Sequence, residues 1–183
     1  MLFAHDTEVA LSAAAALVNT AEEATLETVA DLDAFVDSWG WTGSRRHTRA
    51  ELVEVQALRP RLRRVWHAAR ASDKDAAVAI VNDLLREAQA LPQLAKHDEW
   101  DYHLHATSPQ QPLAERMAVE AAMAFVDVIR TDELDRLRVC VADDCENVLV
   151  DLSKNRSKRF CESGCGNRVA AAAYRARRRG GSV

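Results

Sequence analysis

Four cysteines in the last quarter of the chain fall as two pairs, Cys140-x4-Cys145 and Cys161-x3-Cys165, on either side of a short intervening segment. Paired thiolates that bracket a hairpin are the donor set of a closed, tetrahedral zinc site. Two other chemistries use the same side chains. Disulfides need an oxidising compartment, and the N-terminus does not read as a route to one. Val9 to Val18 is apolar, but Asp6 and Glu8 precede it and no Lys or Arg does. An iron–sulfur cluster also takes four thiolates, although its familiar spacings are tighter or differently patterned. The residues therefore favour one structural Zn²⁺ on Cys140, Cys145, Cys161 and Cys165 in a cytoplasmic protein, with a cluster or unligated thiols as the alternatives.

The second pair runs directly into Gly166-Asn167-Arg168 and an arginine-loaded end. From Leu152 to Val183 there are nine Lys and Arg against the single acid Glu162, so this stretch carries +8 while the rest of a chain of net charge -4 carries -12. An acidic body with a basic tail is the charge pattern of a surface that docks a polyanion. A solvated tail would account for Arg177 to Val183 equally well. The basic residues upstream, however, lie between metal ligands. Composition excludes a membrane protein: 48% of the residues are hydrophobic and 28% charged, and no apolar run reaches spanning length.

The elements that must position these groups read as mainly helical up to about residue 135. A first helix is expected from Asp6 or Thr7 to about Val18, stopped by Asn19-Thr20, and a short second one carries Leu32, Phe35, Val36 and Trp39. Thr48-Arg49-Ala50-Glu51 has the capping-box pattern and opens a third helix reaching about Ala71, in which Pro60 predicts a kink or break. Ser72 to Asp75 caps a fourth helix that turns Ala77, Ile80, Val81, Leu84 and Leu85 inward. Trp100 to His105 alternates apolar and polar residues as a strand paired with Gln93 to Lys96. After Pro112 a long helix buries Leu113, Met117, Ala121, Ala124, Phe125 and Val128. Within the hairpin, His97, Asp98, Asp101, His103 and His105 could hold a catalytic metal. Strand alternation alone already explains them as a polar face. No nucleophile–base pair or phosphate loop stands out, and the chain is not expected to be an enzyme.

Between the cysteine pairs, Val148-Leu149-Val150 and Arg159-Phe160 read as two short strands joined by the turn Ser153-Lys154-Asn155-Arg156. A helix over about Asn167 to Arg178 follows, giving the order of a treble-clef-like finger. At 100° per residue Arg168, Arg175, Arg178 and Arg179 share one side of it, with alanines between them. Guanidinium groups suit phosphate and the guanine edge. The candidate nucleic-acid contacts are accordingly Lys154, Asn155, Arg156, Lys158, Arg159, Asn167, Arg168, Arg175, Arg178 and Arg179. Arg168, nearest the ligands, is expected to matter most. So small a module needs metal to fold, and loss of one cysteine is expected to unfold the tail while leaving the body intact.

The cysteine spacing, the segment Val150-Asp151-Leu152-Ser153-Lys154-Asn155 and the tetrapeptide Cys165-Gly166-Asn167-Arg168 together resemble the CGNR zinc finger, named for that tetrapeptide. Where that family often has an aromatic before the Asp this chain has Val150, and Ala170 stands where a basic residue is expected. The body is similar to the ABATE domain that commonly precedes this finger, through Leu17-Val18-Asn19-Thr20, the helix ending in Trp39, Leu58-Arg59 and the Asp101 to His105 strand. The resemblance implies a stress-responsive transcription regulator, with a helical sensor or dimerisation body over residues 1–136 and a DNA-binding finger over 137–183. RNA binding or a protein-interaction finger is the alternative, and a metal-dependent enzyme is the more distant one. Asn19, Arg59 and Trp66 are candidate lining residues for a small-molecule effector, against plainer roles in capping and packing. A homodimer is a further expectation.

Overall fold

Helical periodicity and caps account for most of the architecture. The structure, a computed structural model, describes residues 3–96 and 103–180. In chain order the elements are α1 (His5–Glu23), α2 (Val29–Ser38), α3 (Arg49–Arg70), α4 (Lys74–Glu87), β1 (Gln93–Ala95), β2 (His103–His105), α5 (Leu113–Arg130), a 3-10 turn at Leu134–Arg136, β3 (Leu137–Val139), β4 (Val148–Val150) and α6 (Cys165–Gly180). The result is the mainly helical body with a small hairpin that the sequence predicts. α1, α3, α4 and α5 pack on one another, and their inward faces merge into one buried cluster. At its centre Trp66 meets Phe125 edge to face at 5.3 Å, and both are fully buried. Each fully buried Leu around them, such as Leu11, Leu32, Leu52 and Leu62, contributes roughly 1.5–3 kcal/mol.

Several local expectations are corrected. Neither Asp6 nor Thr7 caps α1, which is preceded by Ala4 with no side-chain cap. Asn19-Thr20 does not stop it either. The Thr20 hydroxyl donates back to the Leu17 carbonyl at 2.7 Å, and the helix runs on to Glu23 before Ala24 takes the left-handed conformation at φ 50°. Thr48 caps α3 by accepting from the Glu51 N–H, but the Glu51 carboxylate turns to the N–H groups of Arg46 and His47 and to Arg45. The reciprocal capping box forms instead at Thr28 and Asp31. Pro60 neither breaks nor ends α3. The carbonyl its missing N–H abandons, that of Gln56, receives the Arg59 Nε at 3.4 Å, which compensates part of the lost helical bond.

The hairpin forms as expected, with Gln93, Leu94 and Ala95 opposite His105, Leu104 and His103. Its segment from His97 through Asp98, Trp100 and Asp101 to Tyr102 lies outside the described residues, so the histidine-rich group considered as an alternative metal site falls largely there. The second strand pair differs from expectation. Arg159-Phe160 is not a strand, and β4 pairs antiparallel with β3, Val148 opposite Val139 and Val150 opposite Leu137. The reason is burial on both faces. Val148, Val150 and Leu137 join the helical core, while Leu149 packs with Cys140, Cys161, Cys165 and Ala142. This strand pair is therefore shared between the body and the cysteine cluster.

Candidate metal centre and its basic helix

Each cysteine is delivered by a local device. Cys140 follows β3, and its N–H bonds the Asn147 carbonyl at 2.8 Å. The chain then turns so that the Cys145 N–H reaches the Ala142 carbonyl at 3.1 Å. Gly164, at φ 78°, lets the backbone swing between Cys161 and Cys165, and Cys165 is the first residue of α6. That start lies before the expected Asn167, and the Arg168 N–H closes the first turn on the Gly164 carbonyl at 3.0 Å.

The four Sγ atoms all lie within 4.8 Å of one another. Cys145 and Cys161 are 3.7 Å apart and Cys161 and Cys165 3.4 Å. A tetrahedron with Zn–S bonds of about 2.3 Å has edges of about 3.8 Å, whereas a disulfide needs about 2.05 Å. The donor set thus fits one four-thiolate Zn²⁺. Thiolate charge is met by N–H donors: the Cys161 N–H to Cys140 Sγ at 3.5 Å, Asn147 Nδ2 to Cys161 Sγ at 3.7 Å, and Arg168 Nη2 to Cys165 Sγ at 3.4 Å. Without metal the thiols are unequal. Burial pushes Cys145 up to about 12. Burial also opposes ionisation of Cys161, but the Ser163 N–H and neighbouring thiols outweigh it and bring Cys161 to about 7. Metal binding replaces those protons.

The cluster is bolted to the helical body. The Asn19 carboxamide on α1 grips Val148 twice, Nδ2 donating to its carbonyl at 2.9 Å and Oδ1 accepting its N–H at 2.8 Å. Trp66 Nε1 donates to the Leu149 carbonyl at 3.0 Å, and Arg63 Nη1 to the Glu146 carbonyl at 2.6 Å. Glu23, at the end of α1, accepts from Asn147 Nδ2 at 2.8 Å and from the Ser163 hydroxyl. Asn19, Arg59 and Trp66, considered for an effector pocket, are here engaged in holding the fold. Trp66 is fully buried. Arg59 is buried beside Thr20, 3.4 Å from its hydroxyl, and 3.8 Å from Glu27. Asn19 does border a groove between α1 and the finger, but the amide is already spent on β4. Glu23, Arg63 and Asn147 were not singled out from the sequence. Only Asn147 had a signal, its place just after Cys145.

The segment Asp151 to Asn155 is organised by a fully buried carboxylate. Asp151 accepts from the N–H groups of Ser153 and Lys158, each at 3.0 Å, and faces Arg138 at 3.1 Å. Burial works against its charge, yet the Ser153 bonds, the Lys158 N–H and Arg138 hold it below the ordinary carboxylate range. The loop it shapes exposes Lys154, Asn155 and Arg156, with Arg156 paired to Glu133 and Asp135, each at 2.8 Å. Lys158 pairs with Glu162 at 3.0 Å, and Arg159 is exposed.

On α6, Asn167, Arg168, Arg175, Arg177 and Arg178 are all exposed. Arg168 is held by Asp144 at 2.7 Å, and Arg178 lies over the Tyr174 ring at 6.0 Å. The side chain of Arg179 lies outside the described residues. No acidic residue occurs from Cys165 to Gly180.

A helical body carrying a docked four-cysteine cluster of this geometry defines a protein with a structural zinc finger. Residues 136–178 match the CGNR zinc finger family, and residues 11–132 match the ABATE family, described as "Putative stress-induced transcription regulator". The chain belongs to the ABATE family and carries a CGNR finger at its C-terminal side. No curated protein matches it. Among the described residues no helix is long and apolar enough to cross a membrane.

Proposed function

We propose that the protein is a transcription regulator whose zinc finger binds duplex DNA through α6. The observation that carries this reading is the helix itself. It is exposed over Asn167 to Arg178, free of acids, and fixed at its first residue to the metal cluster. Its arginines lie among alanines, so the backbone can approach a groove wall closely. Arg175 and Arg177 have no ion pair among the described residues, and Lys154 and Arg159 extend the basic surface onto the finger. Such groups displace condensed counterions from phosphates and can fork onto guanine. The reading carries with it a reducing cytoplasmic setting in which four thiolates stay available to zinc, and it assigns no catalytic role.

Arg168 takes a different part from the one its position suggests. With Asp144 and the Cys165 sulfur as partners, it braces the first turn of α6. Its alanine variant should weaken zinc retention more than it weakens nucleic-acid affinity, and Arg175 and Arg178 should matter more for affinity.

The test is fluorescence anisotropy with labelled duplex DNA, competed by unlabelled DNA and by structured RNA, on zinc-loaded protein. Salt-sensitive binding that DNA displaces more efficiently than RNA supports the proposal. Preferential displacement by RNA, or no binding at low salt by zinc-loaded protein, contradicts it.

A further inference from the structure

The helical body holds a cavity of about 200 Å³ between the first half of α1, the end of α2, β2 and α5, with no finger residue in its wall. Its apolar surface comes from Trp39, Trp41, Ala13, Leu104, Met123 and Ala124. Its polar groups are strongly biased: Asp6, Glu120 and Asp127 line it, and no Lys or Arg does. Asp6 and Asp127 have partners in Thr7, whose N–H donates to Asp6 at 2.9 Å and whose hydroxyl donates to Asp127 at 2.7 Å.

Glu120 is different. No hydrogen bond joins it to another described residue. The cation nearest in sequence, Arg116 on the preceding turn of α5, has each of its three nitrogens bonded to a carbonyl: Nε to Gln111 at 3.1 Å, Nη2 to Ser44 at 2.6 Å, and Nη1 to Thr42. Arg116 acts on Glu120 only through space. Burial pushes the Glu120 carboxyl up to about 7 in spite of Arg116. The other titratable groups around the cavity, Asp6 on α1, Asp127 on α5 and His105 on β2, supply no permanent positive charge. A carboxylate left uncompensated in a partly apolar cavity is costly, and an acid so placed in a cleft is a candidate for ligand contact. The missing component is a cation.

We propose that this cavity binds a small organic ammonium ion, its charged nitrogen on Glu120 and its apolar body against Trp39 and Trp41. Indole faces attract desolvated cations, and the surrounding carboxylates add Coulombic selectivity over neutral isosteres. At ~30 Å³ per water the cavity holds about seven water volumes, so the ligand is a small monoamine and not a polyamine or a nucleotide. The site is separate from the finger, and it stands or falls independently of DNA binding.

The experiment uses the full chain loaded with zinc, titrated by calorimetry and by tryptophan fluorescence with three probes of one shape: phenethylamine, 2-phenylethanol and phenylacetate. The amine should bind saturably, one per chain, about tenfold or more tighter than the alcohol, and the carboxylate should not bind. Glu120→Gln should bring the affinity for the amine down to about that for the alcohol. Ala10→Leu, at a position lining the same cavity, should abolish binding of both while the helical melt persists, which covers the case in which the Glu120 variant folds poorly. Equal affinity for amine and alcohol, no saturable amine binding, or unchanged affinity in both variants would overturn the assignment.

Discussion

Replacing Asn19 with Ala tests how the finger is attached. In the β3–β4 ladder the Asp151 N–H bonds Arg136 and the Cys140 N–H bonds Asn147, so the antiparallel alternation leaves Val148 with its N–H and carbonyl turned away from β3. The Asn19 amide satisfies both, at 2.8 and 2.9 Å, as if it were one residue of a third strand. Val148 is only 1% exposed, so water replaces the amide only if the junction opens. Each lost bond is worth ~1 kcal/mol and each buried group left unpaired ~1–3, which after partial relaxation amounts to about 2–4 kcal/mol. For a chain of this size that lowers Tm by about 4–16 °C. The assay is thermal and urea unfolding by circular dichroism, together with zinc transfer to a coloured chelator. Because Leu149 packs directly on the cysteines, zinc should also leave faster. Asn19→Asp, which keeps the acceptor but sets an oxygen against the Val148 carbonyl, should lose at least as much. A melt within about 0.5 kcal/mol of the parent with unchanged zinc release would refute the reasoning.

Chelating the zinc should destabilise the body as well as the finger, because Leu137, Val148 and Val150 belong to the helical core. The helical melt should shift downward in the metal-free protein, and an unshifted melt would mean that the two parts fold independently. Glu120 gives a pH prediction. Its folded value of about 7 lies above the ordinary glutamate value of 4.5, so the native state binds the extra proton and parent stability falls as pH rises through that window. In amine-free buffer Glu120→Gln should therefore be more stable than the parent at pH 8, by up to about 3 kcal/mol. The difference should vanish below about pH 4.5, and equal pH–stability curves for parent and variant would contradict the burial argument. Trp66→Phe keeps the aromatic packing on Phe125 but removes the indole N–H that the Leu149 carbonyl accepts beside its ladder bond, and should cost about 1 kcal/mol by urea denaturation.

The helices and the metal ligands were legible because their signals are local. The capping pattern at Thr48 located α3, apolar periodicity located α4 and α5, and thiol spacing picked out the four ligands. What sequence could not show was nonlocal bonding. Asn19 and Thr20 look like a helix stop, and only the distant Val148 backbone and the Leu17 carbonyl turn them into interior residues. Pro60 reads as a kink or break, yet α3 continues through it, with the Arg59 side chain bonding the freed Gln56 carbonyl. The strand partner of Val148 to Val150 was misplaced because two cores share that strand, so its apolar run fits several pairings. Arg168 reads as a free basic residue until Asp144 is seen beside it. The cavity is built from four separated segments, and no spacing rule connects Trp39 and Trp41 with Glu120.

The most direct measurement is the salt dependence of DNA affinity for the zinc-loaded parent and for an Arg175→Ala, Arg177→Ala, Arg178→Ala variant with unchanged zinc content. If α6 lies against the phosphates, the slope of log K against log salt should fall by about two to three units and affinity should drop with it. If the variant keeps the parent's affinity and slope, α6 is not the DNA-binding element and the proposed function fails.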